Sequence, residues 1–143
     1  MIELVVDANE LFSSIIAKGR RIQTKKLDIL FSDKVKLYAP YKLFEELTKE
    51  KNVHKLTKLS GLSEAEFSLF IELLKSRIKL VPTKEFSSKF SKAKEISPHG
   101  KDIPYFSLAL KLNCPIWSGE KKFIKQPDVE VFNTKDLVNK FKL

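Results

Sequence analysis

Short apolar runs alternate along the chain with segments in which apolar residues recur every three or four positions. The short runs indicate strands and the longer period indicates helices, and their alternation is typical of parallel strands joined by crossover helices. We therefore predict an α/β fold. The predicted strands are Ile2 to Val6, Val35 to Ala39, Leu80 to Val81, Ile116 to Trp117 with its flanking residues, and Val129 to Phe132.

Several helices are predicted between these strands, and the clearest one begins at Ser63. Glu66 follows Ser63 by three residues, which forms a capping box, and an apolar stripe from Phe67 to Ile78 follows. Pro40 suits the first turn of another helix, which is expected to end near Asn52. The other apolar stripes are Leu11, Ile15 and Ile16; Ile22, Leu27, Leu30 and Phe31; Leu43, Phe44 and Leu47; Phe86, Phe90, Ala93 and Ile96; Phe106, Leu108, Ala109, Leu110 and Leu112; and Leu137, Val138 and Phe141 after a Thr134 cap.

Length and composition limit the kind of protein. A chain of 143 residues with 43% hydrophobic content suits one well-filled core, so a single domain over residues 1–143 is expected. The only cysteine, Cys114, excludes an internal disulfide and a cysteine-based zinc site, which favours a reducing compartment. The acidic Asp7 follows the first apolar run, and no apolar run could cross a bilayer. We expect a cytoplasmic protein without a membrane partner.

The formal net charge of +9 makes a polyanionic partner one interpretation of the lysine-rich surface. A solvated face without a partner is the other interpretation. Trp117, Tyr105 and Phe106 could stack on bases, but their apolar surroundings favour the core. A nucleotide-binding or signalling domain would share the α/β pattern, yet Gly100-Lys101-Asp102 lacks the glycine spacing and the Ser or Thr of a phosphate-binding loop.

Acidic residues fall where a parallel sheet would gather them. Asp7 follows the first predicted strand directly, and Glu120 lies a few residues beyond the strand that ends at Trp117. Glu46 lies near the start of the helix after the second strand, and Asp102 opens the helix that leads back to the Trp117 strand. Because the carboxyl ends of parallel strands form one edge at which ligands bind, these side chains are expected to meet there.

Clustered carboxylates repel one another, by about 4 kcal/mol for a close pair at an intermediate effective dielectric constant. A divalent cation would offset this repulsion, and carboxylate oxygens are ligands that suit Mg²⁺ or Mn²⁺. One or two such ions can lower the pKa of an attacking water and stabilise the leaving oxygen of a phosphodiester. The acids therefore indicate metal-dependent phosphodiester hydrolysis.

Three of the acids also have a simpler interpretation. Asp7 and Asp102 could each be a helix cap, and Glu46 could be an ordinary surface residue. Glu45 and Glu50 lie on the same predicted helix as Glu46, and the spacing along the helix favours Glu46 only mildly.

The four acids lie in segments of distinct character. Asp7 ends an apolar strand, Glu46 lies in a proline-led helix, Asp102 opens an apolar helix, and Glu120 lies in the turn after the next strand. The segments are Val5-Val6-Asp7-Ala8-Asn9, Pro40 to Leu47, Lys101 to Leu110, and Cys114 to Phe123.

Together these segments resemble the PIN domain of metal-dependent ribonucleases, a family that includes the toxin nucleases of prokaryotic toxin/antitoxin pairs. The resemblance implies a three-layer α/β/α domain with a central parallel sheet and an endoribonuclease that uses Mg²⁺ or Mn²⁺. It implies that Asp7, Glu46, Asp102 and Glu120 are both metal ligands and catalytic residues, and it selects Glu46 over Glu45. One residue departs from the family pattern, because the fourth acid is usually Asp and here is Glu120.

The resemblance also carries expectations about neighbouring residues and partners. Asn9 and Ser118 are expected to orient the acids by hydrogen bonds, and local capping is the alternative for both. The expected partners are RNA, an antitoxin protein and a second copy of the chain. The departure at Glu120 leaves open a non-catalytic PIN-like module that binds RNA without cutting it.

Overall fold

The computed structural model describes residues 1–143, and its centre is a sheet of five strands in which every neighbouring pair is parallel. In chain order the strands are β1 (Ile2–Val6), β2 (Val35–Pro40), β3 (Ile78–Val81), β4 (Ile116–Trp117) and β5 (Val131–Phe132). They lie side by side in the order β3-β2-β1-β4-β5. The predicted α/β fold with a parallel sheet is confirmed.

Helices cover both faces of this sheet. Successive residues of β1 point to opposite faces, so Leu4 and Val6 belong to one apolar cluster and Val5 belongs to the other. The helices are α1 (Ala8–Gly19), α2 (Lys25–Leu30), α3 (Lys42–Leu47), α4 (Glu50–Ser60), α5 (Glu64–Arg77), α6 (Phe90–Ile96), α7 (Ile103–Leu112) and α8 (Thr134–Phe141). Side chains of α6 and α7 fill the Val5 cluster, and the other helices supply the opposite one. The predicted three-layer α/β/α arrangement is therefore confirmed, and none of the helices has both the length and the apolar character needed to cross a membrane.

The capping box predicted for α5 is present. The Ser63 hydroxyl accepts a hydrogen bond from the Glu66 backbone N–H, and the Glu66 carboxylate accepts one from the Ser63 backbone N–H. The predicted stripe is buried from Phe67 to Leu74, but Ile78 already belongs to β3 because the chain passes directly from helix to strand.

The predicted role of Pro40 as a first-turn residue is wrong. Pro40 is the last residue of β2, where it pairs with Val81, and the helix begins later at Lys42. The predicted helix end near Asn52 is also wrong, because α3 stops at Leu47 and Asn52 belongs to α4.

Three smaller predictions need correction. Asn133 caps α8 by accepting a hydrogen bond from the Asp136 backbone N–H, whereas the Thr134 hydroxyl accepts one from the Trp117 indole N–H. Val129 is buried but lies before β5. Three residues assigned to helical stripes lie outside their helices: Ile22 before α2, Phe31 after it, and Phe86 before α6.

The register of the sheet places two chain segments side by side at its carboxyl edge. Val6, the last residue of β1, pairs with Trp117, the last residue of β4. The backbone N–H of Asp7 donates to the Trp117 carbonyl at 3.0 Å, so pairing extends to the edge itself. Asp7 and Ser118 consequently leave the sheet next to each other.

Candidate active site at the carboxyl edge

Asp7 is the most deeply buried of the four predicted metal-binding acids, with 6% of its surface exposed. It occupies the N-cap position of α1, but its side chain makes no capping hydrogen bond. Instead, the Ser118 hydroxyl donates to Asp7 Oδ2 at 2.8 Å. The helix-cap alternative therefore does not account for the Asp7 carboxylate.

The surroundings of Asp7 disfavour its negative charge. Burial raises the pKa of the Asp7 carboxyl, and the charges of Glu10 and Asp102 raise it further. The hydrogen bond from Ser118 lowers the pKa, and the nearby backbone N–H of Asn9 lowers it as well. The geometry of the Asn9 N–H does not make it a capping hydrogen bond. The net result is a raised pKa, which marks a location where a positive charge would be stabilising.

Asp102 lies near Asp7 and has a similar environment. It is the N-cap residue of α7, and its side chain likewise makes no capping hydrogen bond. Burial raises the pKa of the Asp102 carboxyl and the nearby Glu120 charge raises it further, whereas His99 lowers it through its charge and its backbone N–H. Asp102 thus interacts electrostatically with Asp7 on one side and with Glu120 on the other.

Glu120 is held through its backbone in the turn after β4. Its N–H donates to the Ser118 hydroxyl at 3.0 Å, so this hydroxyl contacts both Glu120 and Asp7. The Glu120 carboxylate is exposed and accepts a weak hydrogen bond of 3.4 Å from the Lys122 backbone N–H. Glu120 lines a cleft of about 200 Å³ together with Asp7 and Asp102.

Glu46 approaches from the other side. Its side chain is 54% exposed and forms an ion pair of 2.8 Å with Lys49. It lines a second and larger cleft, of about 470 Å³, which also contains Asp7 and Asp102. Glu45 does not line this cleft, and Glu50 lies in a separate groove between α4 and α5.

The structure therefore brings Asp7 and Asp102 together at the boundary of two clefts. Glu120 lines one cleft and Glu46 lines the other, and the two clefts share Asp7, Asn9 and Asp102. Asn9 lines both clefts, but its side chain makes no hydrogen bond, whereas Ser118 contacts Asp7.

Two residues at this edge take positions that the sequence did not indicate. Tyr105 is only half-buried and lines the larger cleft, although it was predicted to be a core residue, whereas Trp117 and Phe106 are fully buried. Burial raises the pKa of Tyr105, and the charges of Asp7, Asp102 and Glu46 add to this effect.

The other residue is Glu10, which is 3% exposed and lies one helical turn after Asp7. The spacing of Asp7 and Glu10 on one helix face is a signal that could have revealed it.

The donor set fits a hard divalent cation in its chemistry. All predicted ligands are carboxylate oxygens, and Mg²⁺ is usually bound by one or two carboxylates together with waters and substrate phosphate. However, no group of three or more His, Cys, Asp or Glu side chains has an arrangement that could hold a metal ion. Asp7 and Asp102, which line both clefts, thus fit as a pair of carboxylate ligands, and Glu120 and Glu46 each line one of the two clefts.

The fold and the site together define an α/β/α domain with an acidic centre at the carboxyl edge of a parallel sheet. The family model described as PIN domain matches residues 5–137, and the chain belongs to the PIN domain family. The chain has no match among curated proteins. PIN domains are generally nucleases and generally use divalent metal ions, so the family makes this chain a nuclease-type domain.

Proposed function

We propose that this protein is a metal-dependent endoribonuclease that hydrolyses the phosphodiester bonds of RNA. One observation carries the proposal. The chain has 27 Lys and Arg residues, yet none of its ion pairs includes Asp7, Asp102 or Glu120. Carboxylates that converge without a basic partner in so basic a protein match a site whose missing positive charge is a cation.

Asp7 and Asp102 would hold Mg²⁺ or Mn²⁺, with Glu120 or Glu46 completing the site from either cleft. The bound cation would supply Lewis-acid activation of water and would neutralise charge on the phosphodiester. The Ser118 hydroxyl donates to one oxygen of Asp7, which leaves the other oxygen available and fixes the orientation of the carboxylate.

The lysines that flank the acidic centre favour a polyanionic substrate, and the family resemblance makes RNA the proposed one. Lys42 and Lys101 line the larger cleft, and Lys122 lines the smaller one. Lysines in these positions can contact phosphates on both sides of a scissile bond and release counterions. The Tyr105 hydroxyl is protonated at neutral pH even at its ordinary pKa, and burial raises that pKa further, so the hydroxyl can donate a hydrogen bond to a phosphate oxygen.

The physiological role that we propose is that of a toxin nuclease restrained by an antitoxin protein, with a homodimer as the working form. These proposals rest on family resemblance. If they are correct, induced expression of the chain alone arrests bacterial growth, and expression of Asp7→Asn at the same level does not. Equal growth under both conditions would leave a processing or decay nuclease.

A non-catalytic RNA-binding module is the second candidate, and a specific observation favours it. Glu46 is already paired with Lys49, the Glu120 carboxylate accepts a backbone hydrogen bond, and no group of three acids is arranged to hold a metal. If these contacts persist in solution, the chain would bind RNA through its lysines without cutting it.

Cleavage of labelled single-stranded RNA with added Mn²⁺, followed by EDTA, separates the two candidates. The nuclease proposal expects cleavage that EDTA stops and that Asp7→Asn and Asp102→Asn each abolish. Glu45→Gln is the matched control, because it removes a carboxylate from the same region without touching the larger cleft. RNA binding that is unchanged in Asp7→Asn, with no cleavage by the wild type, would select the binding module. Cleavage that persists in EDTA would exclude the metal-dependent mechanism.

A further inference from the structure

Glu10 is a buried carboxylate that connects three parts of the fold. It lies in the first turn of α1 and is 3% exposed. Its Oε1 accepts a hydrogen bond of 3.0 Å from the backbone N–H of Gly119, in the turn that follows β4. Its Oε2 has no hydrogen bond of good geometry but lies 3.1 Å from the ammonium of Lys26 in α2. We call these two contacts the Glu10 bridge.

A carboxylate in this position is costly. Burying a charge disfavours folding unless good contacts compensate, and an apolar side chain of similar volume is often as stable or more stable. Glu10 also lies close enough to Asp7 to raise the pKa of its carboxyl. A buried carboxylate at position 10 is therefore explained neither by a gain in stability nor by a favourable effect on the charge of Asp7. Its contacts point instead to a role in fixing local geometry.

The geometry that Glu10 fixes is that of the turn carrying Glu120. The turn is held by two acceptors from the start of α1, because Ser118 donates to Asp7 and Gly119 donates to Glu10. The contact at Gly119 is close, since a Cβ atom there would lie 3.4 Å from Glu10 Oε1. The next residue along the chain is Glu120 itself.

Glu10 does not face the clefts. It is absent from the lining of both the Glu120 cleft and the Glu46 cleft, and its carboxylate oxygens already face Gly119 and Lys26. This placement distinguishes Glu10 from the acids that could bind a cation directly.

We propose that Glu10 is a positioning residue, which holds the Ser118–Glu120 turn so that Glu120 stays beside Asp7 and Asp102. The inference rests on the proposed function insofar as Glu120 contributes to cation binding. The Lys26 ammonium lies 3.1 Å from Glu10 Oε2, while Glu10 Oε1 accepts the hydrogen bond from the Gly119 N–H.

The test compares two double variants that differ in one property. Glu10→Gln with Lys26→Met keeps an acceptor for Gly119, whereas Glu10→Met with Lys26→Met fills similar space without one. Lys26→Met in both removes the ammonium that would otherwise lose its partner, and apolar replacement of a buried pair usually preserves folding. Circular dichroism and thermal unfolding check that both variants fold.

Two measurements are made on these variants and on the wild type. The first is hydrogen exchange of the Gly119 amide in metal-free protein, which reports the bridge without any cation. We expect exchange at least about tenfold faster in the Met variant than in the Gln variant. The second is Mn²⁺ affinity by calorimetry, which we expect to fall at least about tenfold in the Met variant and to change little in the Gln variant.

The outcomes separate the inference from the proposed function. Wild type that does not bind Mn²⁺ defeats the proposed function, whatever Gly119 does. Wild-type binding with equal Mn²⁺ affinity in both double variants defeats the positioning role alone. An equal loss in the Gln and Met variants also defeats it, because Glu10 would then act by its charge or as a direct ligand.

Discussion

Two regions of the molecule each present a glutamate to the acidic edge, and they hold it in different ways. The turn Ser118–Glu120 is fixed by hydrogen bonds from Ser118 to Asp7, from Gly119 to Glu10, and from the Glu120 N–H back to Ser118. The helix α3 carries Glu46 on an exposed surface, where the side chain forms an ion pair with Lys49. One region has a backbone held by hydrogen bonds next to the centre, and the other has an exposed side chain near it.

Because of this difference, the two regions are expected to contribute unequally to cation binding. Both glutamate side chains are exposed, but the backbone of Glu120 is fixed next to Asp7, and its carboxylate has only a weak hydrogen bond of 3.4 Å to give up. Glu46 must instead leave an ion pair of 2.8 Å with Lys49 before it can bind elsewhere. We therefore expect the Asp7, Asp102 and Glu120 side of the centre to determine cation affinity. Glu46 would join later and contribute less.

The largest expected effect tests the residue that both regions share. Asp7→Asn should lower single-turnover RNA cleavage on the order of a thousandfold, about 4 kcal/mol of transition-state stabilisation, because Asn keeps the shape but loses the charged ligand. Quench-flow or gel assays at saturating Mn²⁺ measure the rate. If Asp7→Asn retains more than about a tenth of the wild-type rate, Asp7 is not the essential ligand that both regions share.

The two glutamates test the comparison directly. Glu120→Gln should reduce Mn²⁺ affinity and cleavage about a hundredfold, and Glu46→Gln should reduce them less than about tenfold, because Glu46 first has to leave Lys49. Glu45→Gln is the control that should change neither. A larger loss from Glu46→Gln than from Glu120→Gln would contradict our inference that the Glu120 side determines cation affinity.

The sequence allowed much of this arrangement to be predicted, for reasons that are local. The strand from Ile2 to Val6 and the Ser63 capping box depend on neighbouring residues, and both are present as predicted. The positions of Asp7 and Asp102 followed from the ends of elements, which the chain pattern marks.

Other features depend on contacts between distant residues. Pro40 extends β2 because β3 lies beside it and Tyr41 donates to the Val81 carbonyl, which no local pattern shows. The Glu10 bridge joins residues 109 positions apart in the chain. The break between α3 and α4 has no glycine or proline to mark it, and Lys49 simply adopts an extended conformation there.

Ser118 provides a smaller test, of the fixed region alone. Ser118→Ala removes the donor to Asp7 and the acceptor of the Glu120 N–H, and should weaken Mn²⁺ binding about tenfold. Ser107→Ala is the matched control, because Ser107 is also a buried serine with a hydrogen bond of 2.7 Å, to the distant Phe86 carbonyl. Both variants should lose similar stability, and only Ser118→Ala should lose affinity. Equal Mn²⁺ affinities in the two variants would show that the hydrogen bonds of Ser118 do not contribute to cation binding.

The smallest expected effect concerns stability and pH without any metal. Burial and neighbouring charges raise the native pKa of Asp7 above its usual 3.8, so the native state binds more protons than the unfolded state in the window between these values. Wild-type stability should therefore fall, relative to Asp7→Asn, as pH rises from 3.8 through the raised native pKa, and should stay lower above it.

At neutral pH in EDTA, Asp7→Asn should be more stable by about 1 kcal/mol, an ordinary size for a single substitution. Urea unfolding midpoints between pH 3 and 7 measure this difference in stability, with a precision on the order of a few tenths of a kcal/mol. Added Mn²⁺ should stabilise the wild type alone, because only the wild type retains the charged ligand. If instead the wild type gains on Asp7→Asn as pH rises, then a positive partner already stabilises Asp7 in the free protein, and the fixed region would not need a cation.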